Sequence, residues 1–272
     1  MSETNIPPFS TRARVAAEFD HPEVVTSYRF RPEPPAQTFD ILAGLITDAP
    51  RVVLDIGCGT GFLARPLVSR VDRLDAVDMS PAMIAEGKRL LGGNDPRLRW
   101  VVGRIEDAPL DPPYALVTAG DALGWMDWDV LLPRLADALT PAGLFASVTL
   151  ELRTPAGLDA FGQGLRALRQ RYIRTPWRSA PLEGFDLSDE LQRRNLFREV
   201  GRATTDVVPF RQPADDFVRS YHGRASNFLH RLPPEEAAAF DAALRQLIWE
   251  HIGPEVQLSV WTDIVWGRPL RP

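Results

Sequence analysis

The sequence predicts an α/β fold, a doubly wound, mostly parallel sheet of seven strands with an added helical cap. Three observations predict it. From about residue 39 to 150, short apolar runs alternate with amphipathic segments of helical spacing, the order expected of parallel strands covered on both faces. The run Val52, Val53, Leu54 meets Asp55 and then glycines at 57, 59 and 61, before helix-compatible spacing resumes at Phe62. Beyond residue 155 helical stretches dominate, until residues 256–267 alternate with period two.

The bulk properties exclude several functional classes. A chain of 272 residues, 44% hydrophobic, suffices for one large domain or a core with a cap. Its net charge of −5 offers no general attraction to a phosphate backbone, so no nucleic-acid partner is expected. The single cysteine, Cys58, precludes an internal disulfide. No apolar run reaches the ~18 residues of a membrane span, and residues 1–10 lack the apolar stretch of a signal peptide, so a soluble cytoplasmic protein is expected. The bias toward alanine, arginine and proline points to a GC-rich bacterial genome.

Taken in order, residues 1–8 read as a loose arm, 12–19 and 24–28 as short helical pieces, and the prolines at 32, 34 and 35 as a stop. Residues 39–46 form the helix before the first strand. A second strand at 74–78 ends on Asp78, and Ser80-Pro81 caps the helix that follows. Strands are expected at 98–102, 114–119 and 144–150, with a helix at 131–139 and a turn at 140–143. In the cap, Phe161, Leu165, Leu168 and Tyr172 share a helix stripe, while Arg166, Arg169, Arg171 and Arg174 fall largely on a solvated face. Residues 175–190 read as a lid loop, 189–200 as a helix, 203–210 as the sixth strand, 214–222 and 233–250 as helices. The expected organisation is a lid segment at 1–35, a ligand-binding core at 36–150, cap insertions plus the sixth strand at 151–255, and a last strand at 256–272.

The glycine loop and Asp78 carry the ligand assignment. Asp78 lies 21 positions after Gly57, where an acid at a strand end accepts from ribose hydroxyls. The spacing is Gly-x-Gly-x-Gly, and Phe62 stands where a dinucleotide fingerprint needs its last glycine, which disfavours NAD. Residues 54–61 (Leu-Asp-Ile-Gly-Cys-Gly-Thr-Gly) and 77–84 (Val-Asp-Met-Ser-Pro-Ala-Met-Ile) resemble the first two motifs of the class I S-adenosylmethionine-dependent methyltransferases, of the kind that includes trans-aconitate and ubiquinone/menaquinone methyltransferases. The resemblance is specific from about residue 25 to 150 and weak beyond. It implies a Rossmann-like sheet whose last strand enters antiparallel between the fifth and sixth. It implies S-adenosyl-L-methionine as cofactor, held by Asp55, Gly57, Cys58, Gly59, Asp78, Met79 and Gly120. Tyr28 and Arg31, in a Tyr-x-x-Arg-Pro segment, are placed over the cofactor, with Arg31 near its methionine carboxylate; the alternative is that Arg31 decorates a proline-rich linker. Ile105 and Glu106 match the adenine loop, and either Glu106 or Asp107 faces the adenine amino group. Residues 122–125 (Ala-Leu-Gly-Trp) resemble the family's Ala-Leu-His-Trp, with Gly124 in place of the histidine.

Methyl transfer is an in-line displacement at a sulfonium, so positioning and water exclusion outweigh any fixed catalytic triad. The sequence shows no Gly-x-Ser-x-Gly elbow, and its histidines at 21, 222, 230 and 251 are scattered without metal-ligand spacing, so no metal is expected. His222 and Tyr221 are the candidate catalytic groups, and Trp125 and Arg224 candidate substrate contacts. The expected activity is methyl transfer to oxygen or nitrogen of a small molecule by a monomer or homodimer. A cyclisation using the sulfonium charge, an NAD-dependent dehydrogenase and a non-catalytic nucleoside-binding subunit are the alternatives.

Overall fold

The computed structural model describes residues 7–154, 158–173, 187–224 and 227–271. At the centre of the sheet lies β1 (Val52–Ile56), parallel to β2 (Arg73–Asp78) on one side and β4 (Tyr114–Gly120) on the other. All five residues of β1 are buried. Val53 faces a core with Phe39, Leu42 and Leu67 from α3 (Ala36–Gly44) and α4 (Ala64–Leu67). Leu54 and Ile56 face a second core with Leu131 and Leu135 from α6 (Trp128–Ala138). Covering both faces explains why the strand reads as a continuous apolar run, since each buried Val or Leu gains roughly 1.5–3 kcal/mol over exposure.

Outward from β4 comes β5 (Leu139–Arg153), and beyond β2 comes β3 (Leu98–Val102). The last strand, β8 (Glu255–Pro269), runs antiparallel to β5 and separates it from β6 (Phe197–Thr204). The order β3-β2-β1-β4-β5-β8-β6 is therefore seven strands wide with the antiparallel strand where expected. An eighth strand, β7 (Val208–Pro213), pairs with the first half of β8 and so prolongs the edge that β6 occupies.

Four sequence-derived bounds shift. The sixth strand splits at residues 205–207 into β6 and β7, which share β8 as partner. The helix expected at 189–200 stops early: α8 covers Leu187–Arg193, and Phe197 already pairs with Pro269. Here an open sheet edge outcompetes a short helical pattern, because β8 supplies partners for backbone groups that a frayed helix end would leave unpaired. The turn at 140–143 lies within β5, where its pairing with β4 shifts register between Tyr114 and Leu116. Of the lid loop at 175–190, residues 175–186 lie outside the described residues, as does Arg174, and 187–190 begin α8.

The cap has its own core. The far end of β8 contributes Val256, Leu258 and Val260, packed against Phe161 of α7 (Asp159–Tyr172), Phe217 of α9 (Ala214–His222) and Phe240 and Leu244 of α10 (Pro234–His251). Thus β8 belongs to cap and sheet alike. Its alternation holds from Val256 to Ile264 and then slips: Gly267 and Pro269 are buried while Trp266 is only half-buried. The slip coincides with the irregular pairing at Glu199 and Gly201, where a Cβ on Gly201 would stand 2.6 Å from Trp266 Cζ2.

A polar cluster pins the sheet at the amino end of β4. Tyr114 Oη donates to Asp75 Oδ2 at 2.8 Å and accepts from Asp111 N–H at 2.9 Å, and Arg99 donates to both Asp75 oxygens at 2.9 and 2.7 Å. Burial pushes the Tyr114 phenol up to about 12. Replacing Tyr114 by Phe removes a donor from a buried carboxylate and an acceptor from a backbone N–H. Urea unfolding of Tyr114→Phe is expected to show stability lower by about 1–3 kcal/mol with unchanged denaturant slope.

Candidate functional site

The carboxyl ends of β1, β2, β3 and β4 point to one edge of the sheet, where loops at 57–61, 78–80, 103–106 and 120–126 converge on a cleft. The cleft encloses about 800 Å³, mouth included, within the range of small-ligand sites. Its roof is α1 (Phe9–Ala16) with Phe19, together with Tyr28 at the end of α2 (Pro22–Tyr28). Arg12 fastens this roof: its Nη1 donates to Gly124 O at 2.7 Å and Met126 O at 2.8 Å, and its guanidinium lies 4.3 Å from the Trp128 ring centroid. Below, Val24 and Val25 pack on Met83 of α5 (Pro81–Arg89).

Two glycines shape the floor. Gly57 has φ +61°, and a Cβ there would meet Ala122 Cβ at 2.6 Å; Gly59 has φ +54°. Such left-handed conformations at close approach suit glycine alone. The Asp78 carboxylate then ties the loop down, accepting from Gly59 N–H at 2.7 Å and Ser80 N–H at 2.8 Å. Burial raises its pKa, and those two donors work against the rise.

Asp55 is the more unusual group. Thr118 Oγ1 donates to its Oδ1 at 2.8 Å, while Oδ2 is buried with no partner. Burial pushes this carboxyl up to about 7. It faces a second cleft, lined also by Cys58, Phe62 and Leu150, that shares Tyr28, Arg31, Gly57, Gly120 and Asp121 with the first. Where the two meet, Arg31 Nη1 donates to Tyr28 Oη at 3.0 Å and Nη2 lies 3.4 Å from Asp121 Oδ2. Asp121 has φ +50° and its Oδ1 accepts from Leu150 N–H at 3.3 Å. At the opposite end Glu106 Oε1 accepts from Asp127 N–H at 2.9 Å beside Ile105.

Residues 53–143, spanning β1 to the start of β5, match the methyltransferase-domain family. The central part of the chain is thus similar to a methyltransferase domain. Over 121 residues it is 34% identical to trans-aconitate 2-methyltransferase of Methylobacterium nodulans, covering 43% of this chain and 45% of the relative. Over 83 residues it is 36% identical to malonyl-[acyl-carrier protein] O-methyltransferase of Anoxybacillus flavithermus, covering 30% of this chain and 31% of that one. The chain thus spans less than half the length of either relative. Among solved structures, a protein of Anaeromyxobacter dehalogenans provisionally assigned as a type II methyltransferase superposes with a TM-score of 0.65 at 26% identity, covering 89% of this chain and 99% of that one.

The fold brings together Tyr28, Arg31, Asp55, Gly57, Cys58, Gly59, Asp78, Met79, Ile105, Glu106, Gly120 and Trp125 around the joined clefts. Of the two acids left open in the adenine loop, Glu106 lines the cleft and Asp107 does not. Tyr221, His222 and Arg224 line neither cleft. His222 is not a free base: Nδ1 contacts Glu23 Oε1 and Nε2 lies 2.8 Å from Asp241 Oδ1, which ties α9 to α2 and α10. Burial alone would lower its pKa, but the two carboxylates outweigh it and raise it. Tyr221 is buried among Phe217 and Phe240. Among the described residues no cluster of three metal-capable side chains occurs. Sequence reasoning expects residues 120–127 to face the ligand but singles out no role for Asp121, which lines both clefts. It also missed Phe9, Ala13, Ala16 and Phe19, whose spacing resembles any core-facing helix.

The residues fit the family's cofactor on two counts, the glycine loop without side chains and the buried, unpartnered Asp55 Oδ2. Replacing Asp78 by Ala removes the acceptor of the Gly59 and Ser80 N–H groups and, if the cofactor binds as proposed below, of its ribose hydroxyls. Calorimetry is expected to show S-adenosylhomocysteine affinity reduced by roughly 10- to 100-fold in a variant with unchanged circular dichroism. Asp55 adds a pH signature. Its folded pKa lies above the ordinary 3.8, so in the free protein its burial costs stability as pH rises from about 4 to 7, where the unfolded chain gives up the proton first. A ligand ammonium requires the ionised form, so affinity for S-adenosylhomocysteine is expected to fall as pH drops below about 7, by up to about tenfold per unit. In Asp55→Asn the titration should be flat across that range.

Proposed function

We propose that the protein transfers the methyl group of S-adenosylmethionine to an oxygen or nitrogen of a small-molecule acceptor. The observation that carries this reading is the placing of Asp78, anchored on the glycine loop, and Asp55, whose second oxygen has no partner, at adjacent strand ends beside the two joined clefts. When bound, the cofactor supplies an electrophilic methyl on a cationic sulfonium; everything else falls to the chain. Asp78 would hold ribose hydroxyls, Ile105 and Glu106 would flank the adenine, and Asp55 would take the ammonium. Arg31, pre-aligned by Tyr28 and Asp121, would face the carboxylate end of the ligand.

The acceptor would enter where the second cleft opens beside Leu150, on the cap side of the sheet. Phe19, Tyr28, Phe62 and Trp125 form an aromatic wall that excludes water, with Tyr28 5.2 Å from Phe62 and Phe19 6.1 Å from Trp125 between ring centroids. Exclusion of water and fixed alignment are the main contributions such a site makes to a displacement. No histidine lines either cleft. That arrangement favours an acceptor already ionised at neutral pH, for which no general base is required.

The test is acceptor-dependent release of S-adenosylhomocysteine from labelled S-adenosylmethionine over a panel of organic acids, phenols and amines. Turnover with one class, and no saturable binding of NADH, is the expected result. Tight S-adenosylhomocysteine binding with no turnover on any class would instead favour a regulatory subunit.

A further inference from the structure

Two histidines set against carboxylates join the roof to the cap. The first is His222, the last residue of α9. Its Nδ1 meets Glu23 Oε1 in the first turn of α2, and its Nε2 lies 2.8 Å from Asp241 Oδ1 of α10. The second is His230, whose Nε2 lies 2.7 Å from Glu18 Oε2. The His21 ring stands 4.5 Å from that of His230, and its Nδ1 accepts from Glu23 N–H at 3.3 Å, so residues 18–23 run along both joints. The joints differ in what they ask of the ring, because a neutral imidazole donates from one nitrogen only. His230 needs one donor, and Arg231 Nε also donates to Glu18 at 3.0 Å, so that joint holds with a neutral ring. His222 faces an acid on each nitrogen, and only the imidazolium satisfies both.

The charges around His222 favour that form. Glu23 from α2 and Asp241 from α10 act on the ring; near it in sequence, Arg219 pairs with Asp216 and Arg224 turns onto the Tyr221 ring at 4.8 Å. Burial alone would lower the pKa, and the two acids lift it above the ordinary 6.5. The stability this joint adds is therefore complete below the unfolded value and is lost as pH rises through the folded one. The helix between joint and cleft is α2, only seven residues long. Its last residue, Tyr28, lines both clefts and accepts from Arg31 Nη1 at 3.0 Å, and a Cβ on Gly59 would stand 3.7 Å from Tyr28 Oη. A Cβ on Gly223 would stand 2.7 Å from Ser27 O, so the residue after His222 rests on that same end of α2. Without the ring proton one carboxylate faces a nitrogen lone pair, and α2 loses its charged tie to the cap.

We propose that His222 is a positioning residue: as an imidazolium donating to Glu23 and Asp241 together it clasps α2 to the cap, holds Tyr28 and Arg31 over the cofactor, and loosens them when it loses its proton. The proposal rests on the methyltransferase reading and adds a control on it. A proton on a residue outside both clefts then governs how tightly the clefts hold their ligand. His222 thereby has a binding role, exerted through α2, in place of a catalytic one.

The experiment is calorimetry of S-adenosylhomocysteine binding to the full chain from about pH 6 to about pH 9, on wild type, His222→Gln, Glu23→Gln and the double variant. Dividing the wild-type affinity by that of His222→Gln at each pH cancels every titration the two share, those of Asp55 and the ligand ammonium included. The quotient should be about three- to tenfold at the acid end and fall toward about one at the alkaline end. Glu23→Gln should show a loss of similar size at the acid end, and the double variant should lose no more than either single one. A quotient constant across the range marks a merely structural histidine, and losses that add in the double variant mark separate roles; either result overturns the clasp. So does a wild-type His222 ring whose nitrogen chemical shifts show it neutral at about pH 6. A wild type that takes up no S-adenosylhomocysteine at any pH would sink the methyltransferase reading instead, and the ring shifts would still decide whether His222 is the doubly donating form.

Discussion

Residue 78 joins three loops at the ligand-facing edge of the sheet. Its carboxylate accepts from Gly59 N–H and Ser80 N–H, and its backbone carbonyl accepts from Gly103 N–H at 2.9 Å. Parallel strands end in unpaired backbone groups that diverge as the sheet twists, so the edge needs such a bridge to keep the glycine loop, the start of α5 and the loop after β3 at fixed spacing. The acid is buried to do this, and that burial raises its pKa. On the proposed reading the same carboxylate would serve the empty fold and the ligand, coupling the spacing of these loops to cofactor recognition.

Around that edge the chain builds two coverings by different means. The α1 part of the roof is fastened by Arg12, which donates to Gly124 O and Met126 O, while α2 rests on Met83 through Val24 and Val25. The cap is held by an extension of the sheet itself. Strand β8 passes from the cap core into the main sheet without a break, with Val256 and Val260 in one and Ile264 in the other. A cap grafted on a continuous strand moves less freely than one on a linker, because displacing it would break the β5–β8 ladder.

The polar groups divide into two sets with opposite roles. His222 and His230 bridge carboxylates on separate segments, Glu23 and Asp241 for the first and Glu18 for the second, so their chemistry is spent on joining the roof to the cap. Asp55 Oδ2, by contrast, is buried with no hydrogen-bond partner and borders the second cleft. An unsatisfied polar atom in a folded interior is costly, and its place beside a cleft suits a ligand that donates to it.

The sequence by itself determined the sheet and the cofactor edge of the site. Apolar runs at 52–56, 74–78 and 114–120 are local consequences of burial on both faces, and glycines with an acid at a set spacing are read along the chain without knowing its path. Only the tertiary structure decided the remainder. Whether 197–204 became strand or helix depended on β8, which lies some sixty residues away in sequence. His222 as base or tie depended on Glu23 and Asp241, which come from α2 and α10. Spacing along a chain records the period of a helix or strand, whereas the charge and partner of a side chain are properties of what folds against it.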